Sequence, residues 1–236
     1  GCSQCVPKCP VKIDIPWINT VVRDRLNRSK EPDSLDFLVD GLTPDQESTG
    51  LDIQKRVFGN IETFAKLGSI VPGLSNTAIE SDTVQGLLER FAGIDSRRQL
   101  PTLADETLVE WAKGRPTPNP DADREAVLYP DLYTNYFSPE RGRAAVRVLE
   151  ALGVSVRVPS VPESGRAPLS QGMIDTADEK ASAVYAALSE HIDADRDIVV
   201  IEPSDLAMFR GEYERLLPDK AADRLAEGSY ELFEYL

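Results

Sequence analysis

The chain holds one histidine and three cysteines among 236 residues, and all three cysteines fall within the first nine. A disulfide framework needs an even number of dispersed cysteines, so none is built here. A zinc site needs four ligands, and the only histidine, His191, is remote from the cysteines in sequence. No apolar run is long enough to span a bilayer. There is no signal-peptide pattern and no Met at the start, which predicts a fragment of a longer protein. Basic residues are outnumbered, 26 against 40 acidic ones, for a net charge of -14 and a pI near 4.6. That balance argues against a nucleic-acid surface and against docking on anionic lipid. Low-complexity segments and internal repeats are absent too.

What is present is an ordinary globular composition, 41% hydrophobic and 28% charged, long enough for one large domain or two small ones. The acid is spread along the chain rather than gathered in a tail, so disorder does not follow from it. Arginine outnumbers lysine. An acidic, lysine-poor surface suits a salt-rich cytoplasm, where screening weakens self-repulsion, so a halophilic source is one expectation and an ordinary acidic protein the other.

The sharpest motif opens the chain: Gly-Cys-Ser-Gln-Cys-Val-Pro-Lys-Cys-Pro. It matches the end of the ferredoxin-type run C-x2-C-x2-C-x3-C-P, with Cys2, Cys5 and Cys9 as its second, third and fourth cysteines and Pro10 as its proline. The first cysteine would precede Gly1, so the motif also predicts a fragment. In two-cluster loops the fourth cysteine serves the other cluster. Cys2 and Cys5 would then hold one 4Fe–4S cluster and Cys9 would reach its partner. Three thiolates divided between two clusters complete neither, so the fragment alone is expected to carry no native cluster. Surface thiols and zinc are the competing explanations; the proline after the last cysteine favours iron and sulfide.

Periodicity predicts a helix over Val11–Arg28, with Ile18, Val22 and Leu26 on one stripe, then a polar loop over Ser29–Thr49. A second helix is expected over Leu51–Leu67, with Val57, Ile61 and Phe64 on one face, and a third over Thr83–Phe91. Gly114–Pro120 reads as a linker, which divides the chain into residues 1–113, a partial helical ferredoxin-like domain with a connector, and residues 121–236, an α/β domain. In the second part, strands are expected at Glu125–Tyr129, Val154–Val158 and Ile198–Ile201. Helices are expected at Pro139–Leu152, Ser170–His191, Leu206–Leu217, Lys220–Ala226 and Tyr230–Leu236. Strands alternating with helices predict a parallel, Rossmann-like sheet with right-handed crossovers. The first strand-to-helix turn, Pro-Asp-Leu-Tyr-Thr-Asn, has no glycine-rich phosphate cradle. Ser164 lacks the G-x-S-x-G frame of a nucleophile elbow, and no catalytic residue is assigned. His191 reads as a surface histidine at a helix end, and Trp17 and Trp111 as packing residues.

The run from Cys2 to Ile15 resembles the second cluster motif of iron–sulfur subunits and domains attached to FAD-linked 2-hydroxyacid dehydrogenases. That group includes D-lactate dehydrogenase, glycolate oxidase and anaerobic glycerol-3-phosphate dehydrogenase. Leu-Tyr-Thr-Asn-Tyr-Phe-Ser-Pro-Glu, Gly-Arg-Ala-Pro-Leu-Ser-Gln-Gly-Met and Ile-Glu-Pro-Ser-Asp-Leu-Ala-Met-Phe-Arg are similar to segments of its cysteine-rich CCG domain. The resemblance implies electron flow from FAD, on an absent domain or a partner subunit, through two 4Fe–4S clusters toward a quinone or another acceptor. It also implies a cytoplasmic setting, peripheral to the inner face of the membrane.

Three positions depart from that pattern. Glu163 and Ser164 stand where the family has its cysteine pair, and Asp205 replaces a further cysteine. Hard oxygen groups replace cluster thiolates poorly, so the CCG-type domain is expected to have lost its metal. Two functions follow: an electron-transfer segment of a flavin-linked dehydrogenase, or a structural docking module built on the degenerate domain. A heterodisulfide-reductase-type subunit shares both domain types, but the lost cysteines count against it.

Overall fold

The structure, a computed structural model, describes residues 6, 8–11, 13–28, 53–116 and 119–236. Cys2 and Cys5, and the loop expected over Ser29–Thr49, lie outside the described residues. The architecture is mixed: helices lead into a small, fully parallel four-stranded sheet.

Helix α1 (Ile15–Asn27) starts later than periodicity predicted, because the Asp14 side chain accepts from Trp17 N at 3.0 Å and caps it. The single helix expected over Leu51–Leu67 is two, α2 (Ile53–Gly59) and α3 (Ile61–Gly68), broken at Asn60. Phe64 of the expected inward stripe is exposed, and so is Ile18 on α1. Helices α4 (Pro72–Glu80) and α5 (Asp82–Ala92) follow, the second closed by Gly93 at φ +64°. α6 (Leu108–Lys113) begins with a capping box between Thr107 and Glu110.

Strand β1 (Arg124–Leu128) is followed by α7 (Leu132–Tyr136) and α8 (Pro139–Ala151), then β2 (Val154–Arg157). Helices α9 (Arg166–Ser170) and α10 (Ile174–Asp193) lead to β3 (Asp197–Val200). α11 (Pro203–Arg210), a 3-10 turn over Glu212–Arg215, α12 (Asp219–Glu227), β4 (Ser229–Glu231) and α13 (Leu232–Tyr235) complete the chain. The sheet order is β2-β1-β3-β4, with Val127 opposite Ile198 and Val199 opposite Tyr230.

Three further elements differ from expectation. The helix expected over Ser170–His191 is interrupted at Gly172, whose φ is +72°; a Cβ there would meet Arg23 Cβ at 2.5 Å and Asp24 N at 2.8 Å on α1. The helix expected over Leu206–Leu217 stops at Gly211. The C-terminal segment expected as one helix begins with β4, a strand too short to show a period of two and set by pairing with β3.

Successive strand residues point to opposite faces, and each face carries its own core. Val127, Tyr129, Ile198 and Val200 pack with α10, α11 and α12. Ala126, Leu128 and Val199 pack with Leu149 of α8, Tyr235 and Leu108 of α6. Leu108 is fully buried there, so α6, which precedes the expected linker, contributes to the core of the sheet.

Candidate functional site

Cys9 is half-buried and free. It closes a turn by donating from its backbone N to Val6 O at 3.2 Å, and its Sγ accepts from Ile13 N at 3.4 Å. A free sulfur that accepts a backbone N–H suits a thiolate ligand. Among the described residues, no three His, Cys, Asp or Glu converge to hold a metal ion.

The helix that follows Cys9 is anchored on the α/β unit. Arg23 Nη1 donates to Ser170 O at 3.1 Å, and Asn27 Nδ2 to Gln171 O at 2.7 Å and Gly172 O at 3.1 Å. Arg215 pairs with Asp14 at 2.5 Å and lies 4.8 Å from the Trp17 ring centre. Trp17 also packs on the core, and Trp111 lies between Arg115 at 4.3 Å and Arg143 at 5.5 Å. Both indoles are packing residues.

The three positions where the resembled family carries cysteine are brought together and buried. Glu163 and Ser164 lie in the loop between β2 and α9, and Asp205 in the first turn of α11. Ser164 Oγ and Asp205 Oδ1 are 2.5 Å apart. Burial pushes the Asp205 carboxyl up to about 7; the Ser164 hydrogen bond opposes this, and the charges of Asp131, Glu202 and Glu163 add to it. Tyr213 donates its hydroxyl to Ser164 O at 2.8 Å, and Tyr129 donates to Pro162 O at 2.9 Å, so the loop is fixed from below by two buried phenols.

Glu163 faces the helical layer. Lys180 of α10 pairs with Glu163 at 3.2 Å and with Glu62 of α3, and Lys66 reaches Glu62 at 2.8 Å. Glu163 N also donates to Glu62 Oε1 at 3.2 Å. Burial pushes Glu62 up, but hydrogen bonds from Lys180 and Lys66 outweigh it and hold the carboxyl below its ordinary range. Glu163 is raised by burial, only partly offset by Lys180. The group clamps α3 to the α/β unit. Nothing in the sequence marked Glu62 or Lys180, since charged residues are rare in a core and composition alone gives no reason to place them there.

The crevice beyond the carboxyl ends of β1 and β3, where the strand order reverses, is the usual ligand position in such sheets. Here the turns that follow β1 and β3 each supply an acidic helix cap. Asp131 ends the β1 turn and caps α7, accepting from Tyr133 N at 3.0 Å and Thr134 N at 2.9 Å. Glu202 follows β3 and caps α11, accepting from Ser204 N at 3.2 Å. Both helix starts are filled by the chain's own carboxylates, which agrees with the missing phosphate cradle. Neither the short helix that Asp131 caps nor the burial of Asp131 was read from the sequence. His191 lies in the last turn of α10, half-buried rather than on the open surface. Burial, then Arg196 and Arg157, push its imidazole down, away from the charged form that the helix terminus would favour.

Over 174 residues, 72% of this chain and 44% of the relative, the sequence is 24% identical to a subunit of the anaerobic glycerol-3-phosphate dehydrogenase of Escherichia coli (strain K12). Over 235 residues, 94% of this chain and 21% of the relative, it is 22% identical to D-2-hydroxyglutarate dehydrogenase of Pantoea ananatis (strain AJ13355). The chain thus spans less than half the length of these curated relatives. No protein-family model matches it, and no solved structure matches it. No helix among the described residues is long and apolar enough to cross a membrane.

Proposed function

We propose that this chain is an iron–sulfur electron-transfer segment of a flavin-linked 2-hydroxyacid dehydrogenase. The observation that carries the proposal is the cysteine run ending in Cys9-Pro10, followed by a helix docked on the α/β unit. The similarity to a dehydrogenase subunit and to a 2-hydroxyglutarate dehydrogenase supports it. In this account Cys2 and Cys5 hold one 4Fe–4S cluster and Cys9 serves its partner; the clusters supply one-electron transfer. Ile13 N, donating to the Cys9 sulfur, orients it. α1 holds that sulfur at a fixed place on the α/β unit. FAD sits on another domain or subunit, and a quinone or similar acceptor takes the electrons. The division into residues 1–113 and 121–236 belongs to the same proposal.

A second role is favoured for the α/β unit specifically. Glu163, Ser164 and Asp205 are engaged in a buried clamp and a hydrogen bond within the chain, so this domain acts as a scaffold that positions the conducting segment and its partners. Cys5→Ser, made in the natively expressed protein, tests the division of roles. It should remove one cluster from the iron and sulfide content while the circular dichroism of the fold is unchanged. Retention of both clusters would contradict the ligand assignment.

A further inference from the structure

A cavity of about 360 Å³ opens where α3, α6, α7 and the segment after β2 meet. Its volume is in the range of small-molecule sites, about 300–1,000 Å³. The chain has only eight lysines, and two of them, Lys66 of α3 and Lys113 of α6, line this one space. Neither is fully occupied within the chain. Lys113 is exposed and makes no ion pair among the described residues. Lys66 reaches Glu62 at 2.8 Å, but Glu62 also holds Lys180 and accepts from Glu163 N, so its charge is met without Lys66. The acid at the cavity is Glu110, whose Oε2 accepts from Thr107 N and Thr107 Oγ1, both at 2.9 Å, and so serves the start of α6. Asn135 is buried and spends its Oδ1 on Val109 N at 3.1 Å, so what it can offer a ligand is an N–H donor. Ser160, on the exposed side, adds a hydroxyl, and Val161 and Pro162 supply apolar wall.

We propose that this cavity binds a small organic anion, a carboxylate or phosphate on a short carbon skeleton. Lys66 and Lys113 take its charged oxygens, Asn135 and Ser160 donate to it, and the apolar wall meets its carbon atoms. Lysine binds such oxygens as a point charge rather than in a fixed fork, so the site selects charge and size more than planar geometry. A ligand there touches α3 through Lys66 and α6 through Lys113. It also touches Val161 and Pro162, which lead directly into Glu163 and Ser164. Occupancy therefore holds the helical layer to the α/β unit at the same joint as the Glu62–Lys180–Glu163 clamp. This goes beyond the electron-transfer proposal and does not rest on it.

Isothermal titration calorimetry of the full chain at constant low ionic strength tests it, with inorganic phosphate, succinate and the uncharged succinamide as probes. Phosphate or succinate should bind at one site per chain with a Kd of about 1 mM or tighter, and succinamide should not bind. The anion that binds, or binds more tightly, identifies the head group. Lys113→Met should weaken binding by about tenfold or more while leaving the ligand-free urea midpoint unchanged. Lys220→Met removes the same charge from α12, outside the cavity, and should keep the affinity. Ser160→Trp fills the cavity from an exposed position and should abolish binding. Absence of saturable binding by either anion in the millimolar range overturns the proposal. So does an affinity unchanged in K113M, or one lost equally in K220M, which would mark a bulk charge effect.

Discussion

Replacing Lys180 with Met should be among the most damaging single changes on this chain, and the structure says why. Lys180 stands between two carboxylates whose side chains are each only 5% exposed, Glu62 and Glu163. Glu62 keeps Lys66 at 2.8 Å, but no other cation pairs with Glu163 among the described residues. Removing one partner of a buried pair costs about 3–5 kcal/mol, because the charge left behind cannot be hydrated. In a chain of this size each kcal/mol lowers the midpoint temperature by about 2–4 °C, so K180M should melt roughly 10 °C below wild type. Lys66, whose side chain is 52% exposed, is the control; K66M should cost no more than about 1 kcal/mol. The loss in K180M should also grow with pH. An unpaired Glu163 takes up a proton at low pH and must carry its charge at high pH. Glu163→Gln in the K180M background should therefore recover stability, most at pH 8. Urea midpoints at constant slope are the assay. A K180M penalty no larger than that of K66M, or a further loss on adding E163Q, would refute the clamp.

Two further outcomes follow from packing and polar contacts. Asn76 ties α4 to the segment before α6 by donating to Leu103 O at 2.9 Å and accepting from Leu103 N at 2.8 Å, so Asn76→Ala should cost about 1–3 kcal/mol in urea unfolding. Gly142 lies where a Cβ would press on Leu108 and come within 2.8 Å of Thr134 Cγ2; Gly142→Ala should destabilise by about 1–3 kcal/mol despite its better helix propensity, and a stabilised variant would contradict the packing of α6 on α8.

The parallel sheet was largely legible in the sequence. Ile198–Ile201 and Val154–Val158 announce themselves as short apolar runs, and Gly153 marks the end of the helix before β2. What escaped was set by tertiary contact. β4 exists because β3 offers it an edge. α4, α6 and α7 are five to nine residues long, too short for a helical period to stand out. The break at Gly172 is decided by α1 crossing it. At the candidate site, sequence singled out Glu163, Ser164 and Asp205 only as replacements for cysteine. Their partners Glu62 and Lys180 lie 118 residues apart, and no local pattern joins them. The burial that raises Asp205 is likewise a property of the packed loop and helix, not of the sequence around it.

The central claim is that the opening cysteines carry electrons while the α/β unit holds them in place. Iron and acid-labile sulfide content, with EPR after dithionite reduction, on the natively expressed protein purified anaerobically, tests it most directly. About eight irons per molecule of the native protein, with an interacting two-cluster signal and no metal retained by the α/β unit, are expected. Zinc in place of iron, or no metal at all, would contradict the electron-transfer claim and leave only the scaffold.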